Sequence, residues 1–230
     1  MSNVLLKYLE ERYKYRVPKK ELKSLGPVIT ISRDFGCPAN LCAADLAELI
    51  TKTEGKGQEP WKVINKEILN QAAMDLGLSP EKIEFVFKFE KRSAVDEILE
   101  SISSKYYKSE RKIKTTIGEV IRSIGENGRV IIVGRGGSAL LKDIPNSLHV
   151  RLIAPFEFRV RGVSKRHQIS YNEAKKLTEE MDNKRAQLKY DFAGRPLDDN
   201  DYDLILNCER FNPENIVELM AKAAEIRGLF

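Results

Sequence analysis

"VITISRDFGCPAN", residues 28–40, is the stretch that decides the fold. Its apolar, β-branched beginning predicts a short buried strand over residues 28–32, and the spacing beyond it predicts a helix over 41–50. The turn between them contains Gly36. Because phosphate-binding loops are built as a strand, a glycine-bearing turn and a helix in that order, the stretch predicts a phosphate site at this turn.

The turn lacks the lysine of the Walker A pattern G-x-x-x-x-G-K-[ST]. Arg33 is its only cationic residue, so we expect the Arg33 guanidinium and backbone N–H groups to bind a polyphosphate in place of that ammonium. Pro38 suits the first turn of a helix but removes one backbone donor. A purely structural alternative stays open, in which the glycine serves the turn and the arginine pairs with a carboxylate.

Composition favours one medium α/β domain that binds an anion. The 230 residues are 42% hydrophobic and 32% charged, with a formal net charge of +5. Phosphorylated small molecules and nucleic acids both suit that charge. No apolar run approaches the roughly 18 residues of a membrane span, and the early charges argue against a signal peptide, so we expect no membrane partner and a cytoplasmic location.

Cysteine and histidine spacing predicts no metal site. The three cysteines, Cys37, Cys42 and Cys208, do not have the spacing of a zinc site, and reduced, structural thiols are expected. His149 and His167 do not form a ligand pair by spacing either.

Predicted strands and helices alternate along the chain, which indicates a parallel sheet with helices on both faces. Ser170 with Glu173 forms a predicted capping box at the start of a long helix, and Asn212 precedes Pro213 at the start of the last helix. We expect an N-terminal helical extension over 1–26 and a single α/β domain over 27–230. The domain would carry a helical insert at about 79–110 and a lid region at about 157–198.

The ends of the strands are where a ligand is expected in such a sheet. Arg33 ends the first strand, and Arg135 lies in "GRGG", between the strand "RVIIVG" and a helix predicted in "SALLKDI". Glycine lets backbone N–H groups approach a phosphate closely, and arginine binds phosphate oxygens bidentately. A further basic cluster lies in the predicted lid region, and both a solvated helix face and a mobile lid remain open for it. Its residues are Arg159, Arg161, Lys165, Arg166, Lys184, Arg185, Lys189 and Arg195.

The segments "VITISRDFG", "VIIVGRGGSALL", "HVRLIAPFEFRV" and "YDLILN" resemble those of the cytidylate kinase-like family, within the nucleoside monophosphate kinase superfamily. The resemblance extends from Pro27 to the C-terminal helix. It implies a three-layer P-loop kinase fold with a helical monophosphate-binding insert and an arginine-bearing helical lid. It also implies ATP as the phosphate donor, Mg²⁺ held through the nucleotide phosphates rather than by protein ligands, and CMP or dCMP as the acceptor.

The resemblance carries roles onto particular residues of this chain. This chain departs from the family pattern at two places. Cys37-Pro38-Ala39 replaces S-G-G, and Asn65 replaces an aspartate found in many relatives. The implied catalytic arginines are Arg33, Arg159, Arg161 and Arg185. The implied donor-nucleotide residues are Ser32, Arg33, Gly36, Cys37 and Asn40, and the implied acceptor residues are Asn65, Arg135, Gly136 and Asp182.

Three functions therefore remain in competition. The first is a nucleotide kinase that acts on small-molecule nucleotides, and the second is a regulatory protein that keeps the fold and binds nucleotide without catalysis. The third, nucleic-acid binding through "KRHQISYNEAKKL", is disfavoured because the long helix alternates Glu and Lys. The amphipathic helix predicted near the N-terminus packs on the core or on a second copy of the chain, which leaves a homo-oligomer open.

Overall fold

The computed structural model describes residues 25–55, 57–65 and 104–230. Most of the expected N-terminal extension (1–26) and most of the expected helical insert (about 79–110) lie outside these residues.

Five parallel strands form one sheet in the order β2-β3-β1-β4-β5, which confirms the predicted α/β class. The central strand β1 pairs with both neighbours from its first residue, Val28, which lies opposite Val130 of β3 and Ser147 of β4. All four pairings are parallel. The strands are β1 (Val28–Arg33), β2 (Lys62–Ile64), β3 (Val130–Val133), β4 (Ser147–Ile153) and β5 (Leu204–Asn207).

Six α-helices are described beside the sheet. Both predicted helix starts are confirmed: Ser170 and Glu173 form a reciprocal capping box, and the Asn212 side chain accepts the N–H of Asn215. The helix predicted in "SALLKDI" is one turn only. The helices are α1 (Ala39–Glu54), α2 (Ser104–Asn127), α3 (Gly137–Leu140), α4 (Phe156–His167), α5 (Tyr171–Ala193) and α6 (Pro213–Ile226), with a 3₁₀ turn at Asp199–Asp201.

Core residues lie on both faces of the sheet, and helices pack on each face, so the fold has three layers. Alternate residues of a strand point to opposite faces. Ile29 and Ile31 of β1 therefore pack with α1 and α6, and Thr30 contacts Gly137 of α3 on the other face. Leu141, just after α3, lies so close to Gly125 of α2 that a Cβ there would clash with its side chain. Within the described part of the chain, no helix has the length and apolarity that a membrane span requires.

Helices α4 and α5 form a hairpin with a small apolar cluster of its own. Val160, Val163 and Ala174 are fully buried between the two helices, and Phe35, from the turn after β1, packs against them. The hairpin covers the expected lid region at about 157–198, and its action as a lid stays a prediction.

Candidate phosphate-binding site

A cavity of about 250 Å³ opens where the carboxyl ends of β1 and β3 lie side by side. Ile31 of β1 is opposite Val133 of β3, and the next residue, Gly134, donates its N–H to the Ile31 carbonyl at 3.0 Å. Helix α5 closes the third side. The lining residues are Thr30, Ile31, Ser32, Arg33, Asn40, Gly134, Arg135, Gly136, Gly137, Ser138, Met181, Lys184, Arg185, Leu188 and Lys189.

The cavity is strongly cationic. Five of its lining side chains carry a positive charge, and the described lining contains no aspartate or glutamate. Glu180 pairs with Lys184 from outside the lining. The excess of positive charge in the lining still favours an anion. The five are Arg33, Arg135, Lys184, Arg185 and Lys189.

Arg33 reaches the cavity by lying against a glycine of the neighbouring strand end. A Cβ built at Gly134 would overlap the Nη1 atom of Arg33, so any other residue at this position would require the guanidinium to move. The backbone at Gly134 also has a φ of 73°, in the left-handed region that glycine adopts without strain. The observed position of the Arg33 guanidinium therefore depends on a glycine in a sequence-distant loop.

The segment after β3 turns sharply beneath the cavity. Gly134, Arg135 and Gly136 have φ values of 73°, 57° and 70°, so three successive residues are in the left-handed region. For Arg135 this conformation is uncommon and costs energy, and such outliers concentrate at functional sites. The turn is closed by the N–H of Gly137, which donates to the Gly134 carbonyl at 2.9 Å.

Helix α5 contributes one face to the cavity. Met181, Lys184, Arg185, Leu188 and Lys189 recur at the three- and four-residue steps that place side chains on the same side of a helix. Sequence patterns place Lys184 and Lys189 in a basic cluster but not among the site residues, and they do not indicate Thr30 or Ser138. The four-residue step from Arg185 to Lys189 was the signal that could have identified Lys189.

Arg185 links this helix to the turn after β1. Its Nη1 donates to the Arg33 carbonyl at 3.2 Å, and its guanidinium carbon lies 5.2 Å from the centre of the Phe35 ring. Burial lowers the pKa of Arg185 below its ordinary value, and the nearby Asp182 carboxylate partly opposes this. A guanidinium remains protonated in proteins at neutral pH, so the side chain still presents a positive charge.

Arg159 and Asp182 hold the turn from the side away from the cavity. The Asp182 carboxylate accepts the Phe35 N–H at 2.7 Å and the Arg159 Nη1 at 2.6 Å. Arg159 Nη1 also donates to the Phe35 carbonyl at 3.1 Å, and its Nε donates to the Ala154 carbonyl at 3.0 Å. With an exposed side-chain fraction of 8%, Arg159 is a buried part of this support.

The residues suggested by the resemblance divide into two groups. Gly36 lies against Arg159 at a φ of 98°, and Arg161 is exposed on α4. Asn65 directly follows β2. The cavity is lined by Ser32, Arg33, Asn40, Arg135, Gly136 and Arg185, and it is not lined by Gly36, Cys37, Asn65, Arg159, Arg161 or Asp182.

A known protein family matches most of this chain. A model of the "cytidylate kinase-like family" matches residues 28–210. The cytidylate kinase of Methanosarcina barkeri is 26% identical over 109 residues, which cover 46% of this chain and 59% of that protein. The uronate isomerase of Corynebacterium glutamicum is 26% identical over 105 residues, which cover 45% of this chain and 20% of that protein. The matches thus span less than two thirds of either relative.

Two solved structures align with most of the chain. An uncharacterized protein from Eubacterium ventriosum superimposes with a TM-score of 0.62 at 19% identity, covering 87% of this chain and 98% of that one. A shikimate kinase from Bacteroides thetaiotaomicron gives a TM-score of 0.46 at 13% identity, covering 86% and 98%. The first of these shares the fold.

Proposed function

Because the chain belongs to the cytidylate kinase-like family, we propose that it is a nucleotide kinase that transfers the terminal phosphate of ATP to a nucleoside monophosphate. The observation that carries this proposal is the convergence of five cationic side chains on one cavity at the strand ends. Phosphoryl transfer is catalysed mainly by positioning and by neutralising charge on oxygen, which is what such a cavity supplies.

Arg33 and Arg135 line the cavity from two different turns. Arg33 belongs to the turn that the family resemblance assigns to the donor phosphates, and Arg135 belongs to the turn assigned to the acceptor. An acceptor phosphate oxygen between them would attack the terminal phosphorus of ATP as ADP leaves in line. Lys184, Arg185 and Lys189, from α5, would neutralise the charge on the transferred oxygens.

The Arg33 guanidinium takes the role of the missing Walker A ammonium in this proposal. Its position against Gly134 directs it between the two strand ends. Unlike an ammonium, a guanidinium offers a planar pair of donors that matches two oxygens of one phosphate.

A divalent cation would be held chiefly by the nucleotide. Among the described residues, no group of three His, Cys, Asp or Glu side chains lies where it could bind a metal. The cavity offers only neutral oxygens, such as the hydroxyls of Ser32 and Ser138. Mg²⁺ commonly binds nucleotide phosphates with few protein ligands, so we expect it to arrive with ATP and to neutralise phosphate charge there.

The identity of the acceptor nucleotide is a more specific part of the proposal. CMP or dCMP is expected from the family resemblance, and the Methanosarcina barkeri relative is a cytidylate kinase. Asn65, after β2, has an amide that can hydrogen-bond an acceptor but cannot act as a carboxylate.

A coupled assay of ADP formation tests the activity. With Mg²⁺ and ATP, turnover should be highest for CMP or dCMP among CMP, dCMP, UMP and AMP. Arg33→Ala and Arg135→Ala should each lower kcat/KM by about 100-fold or more, since each removes a charge aimed at the transferred group. Lys175→Ala, an exposed position of α5 outside the cavity, is the matched control. A folded protein that turns over none of the four acceptors would contradict kinase activity.

One observation favours a second candidate, a nucleotide-binding regulatory protein without catalysis. The Phe35 N–H, a backbone donor of the phosphate-loop turn, is already bound to the Asp182 carboxylate. Thermal unfolding with nucleotide separates the two candidates. A ligand at about 100 times its Kd adds roughly 2.7 kcal/mol of stability, so a clear rise in Tm without turnover would support regulatory binding.

A further inference from the structure

Ser138, in the short helix α3, is a buried serine whose hydroxyl has no hydrogen-bond partner among the described residues. The side chain is nevertheless almost fully buried, since the residue is 4% exposed. The described part of the chain buries five serine and threonine residues, and the other four are hydrogen-bonded within the protein: Thr30, Ser32, Ser147 and Thr178. A buried hydroxyl without a partner costs energy, so this exception requires an explanation.

The cavity is the side from which a partner can reach Ser138. Ser138 lines the cavity together with Arg135, which precedes it by three residues in the turn that leads into α3. The lining carries an excess of positive charge, which favours an anionic ligand. A serine hydroxyl can donate a hydrogen bond to an anionic oxygen, and such bonds are stronger than those between neutral groups.

The backbone before Ser138 is held from two sides. A Cβ added to Gly137 would lie 3.2 Å from Cγ2 of Ile132 and 3.4 Å from Cγ2 of Thr30, so this residue rests directly on the sheet. A Cβ added to Gly136 would overlap the ring of Phe192, near the end of α5. The serine is therefore fixed in place before any ligand arrives, which reduces the entropy cost of binding through it.

We propose that Ser138 is a substrate-binding residue whose hydroxyl donates a hydrogen bond to a phosphate oxygen of the acceptor nucleotide, beside Arg135. This role rests on the proposed function, because it requires that the acceptor phosphate enter the cavity. The acceptor is favoured over the donor because Ser138 follows the Arg135 turn, where the proposed function places the acceptor, whereas Arg33 belongs to the turn after β1.

Removal of a hydroxyl that serves the ligand should have opposite effects on affinity and on stability. Ser138→Ala deletes the bond to the phosphate, but it also deletes a buried polar group that the fold leaves unpaired. Ser147→Ala is the matched control, because Ser147 is also 4% exposed and lies outside the cavity lining. Its hydroxyl donates to the Ile144 carbonyl at 2.7 Å, so its loss leaves a buried acceptor without its partner.

Calorimetric titration and urea unfolding of the full-length protein provide the test. CMP is titrated without Mg²⁺ and ATP with Mg²⁺, and the urea midpoints are measured without nucleotide. Ser138→Ala should weaken CMP binding by about 10-fold or more, since a hydrogen bond to a charged group is lost, and ATP binding by less than about two-fold. Its urea midpoint should equal or exceed that of wild type. Ser147→Ala should lower the midpoint and leave both affinities unchanged.

Three results would overturn the role of Ser138. They are equal CMP affinities for wild type and Ser138→Ala, a Ser138→Ala variant that loses ATP affinity as much as CMP affinity, or a Ser138→Ala midpoint as low as that of Ser147→Ala. The first of these would leave the kinase proposal in place, because turnover is measured separately. A wild-type protein that binds neither nucleotide would contradict both proposals.

A crystal structure of the wild-type protein with CMP decides the matter without any variant. We expect a phosphate oxygen of CMP within hydrogen-bonding distance of Ser138 Oγ. A hydroxyl that instead donates to a backbone carbonyl of its own turn, with the phosphate out of reach, would overturn the proposal.

Discussion

Asp182 accepts the backbone N–H of Phe35 at 2.7 Å, although 147 positions separate the two residues. The contact places a carboxylate of α5 against the turn after β1. The same carboxylate pairs with Arg159, so one side chain joins the turn after β1 to both helices of the hairpin. Asp182 is therefore a structural support for the turn.

The first prediction concerns that support. Asp182→Asn keeps an oxygen for the Phe35 N–H but removes the charge opposite Arg159, whose side chain is 8% exposed. Without the Asp182 charge, Arg159 keeps only Asp34 as a carboxylate partner, at 4.0 Å from its Nε. Because Asp182 is 29% exposed, we expect a loss of about 2 kcal/mol in the free energy of unfolding. Urea unfolding measures this loss. Glu179→Gln, exposed on the same helix, should change stability by less than about 0.5 kcal/mol. Equal midpoints for the Asp182→Asn and Glu179→Gln variants would contradict the support role.

A second prediction concerns the glycine beneath Arg33. Gly134→Ala places a methyl group on the Arg33 guanidinium and strains a backbone at a φ of 73°, so we expect weaker nucleotide binding and a stability loss of about 1 kcal/mol or more. Gly162→Ala is the matched control: it lies within α4, and nothing is within 4 Å of an added Cβ. There we expect a gain of about 0.5–1 kcal/mol. Thermal unfolding and nucleotide titration check both variants, and a Gly134→Ala protein with wild-type affinity would refute the dependence of Arg33 on Gly134.

A third prediction concerns the lysines that α5 brings to the cavity. Lys189→Ala should weaken nucleotide binding by about 10-fold, since a charged hydrogen bond to phosphate contributes roughly 1.5–3 kcal/mol. Lys189→Arg should keep most of the affinity. Isothermal titration with Lys175→Ala as control measures both. Equal affinities for the Lys189→Ala and Lys175→Ala proteins would mean that Lys189 does not contact the phosphates.

A fourth prediction concerns pH. His149 is 6% exposed on β4, where Nδ1 lies 2.7 Å from the Thr30 hydroxyl and Nε2 lies 3.2 Å from the Ser147 hydroxyl. Burial lowers its pKa below the ordinary 6.5, against an opposing contribution from Asp203. The unfolded chain therefore takes up a proton first as the pH falls. Stability is complete above about pH 6.5 and decreases below it, until the folded histidine is also protonated.

Urea unfolding between pH 7.5 and pH 5 measures this decrease. The contribution of one proton is at most about 1.4 kcal/mol per pH unit. His149→Gln should reduce the slope of the free energy of unfolding in this range, and His167→Gln, at an exposed position, should leave the slope unchanged. Identical slopes for wild type and His149→Gln would exclude His149 as the source.

Much of the fold was predictable because local rules specify it. The apolar β-branched run after Arg129 could only be a buried strand, and the capping residue Ser170 marks the start of α5 by its own side-chain chemistry. The alternation of strands and helices then required a parallel sheet. The predicted helix after Ser138 was too long because its apolar residues, including Leu141, continue past the single helical turn into the core.

The site was only partly predictable because it depends on contacts between distant segments. Arg33 and Arg135 could be assigned to the strand ends, and both line the cavity. No local pattern shows that Asp182 binds the Phe35 N–H, because this contact exists only after the sheet and the hairpin have assembled.

A crystal structure with a bound nucleotide tests the central claim, that the cavity between the two strand ends binds phosphate, most directly. The account predicts phosphate density in the cavity, with oxygens within hydrogen-bonding distance of both Arg33 and Arg135. Phosphates bound elsewhere on the protein, with Arg33 unchanged against Gly134 and the cavity filled by water, would contradict it.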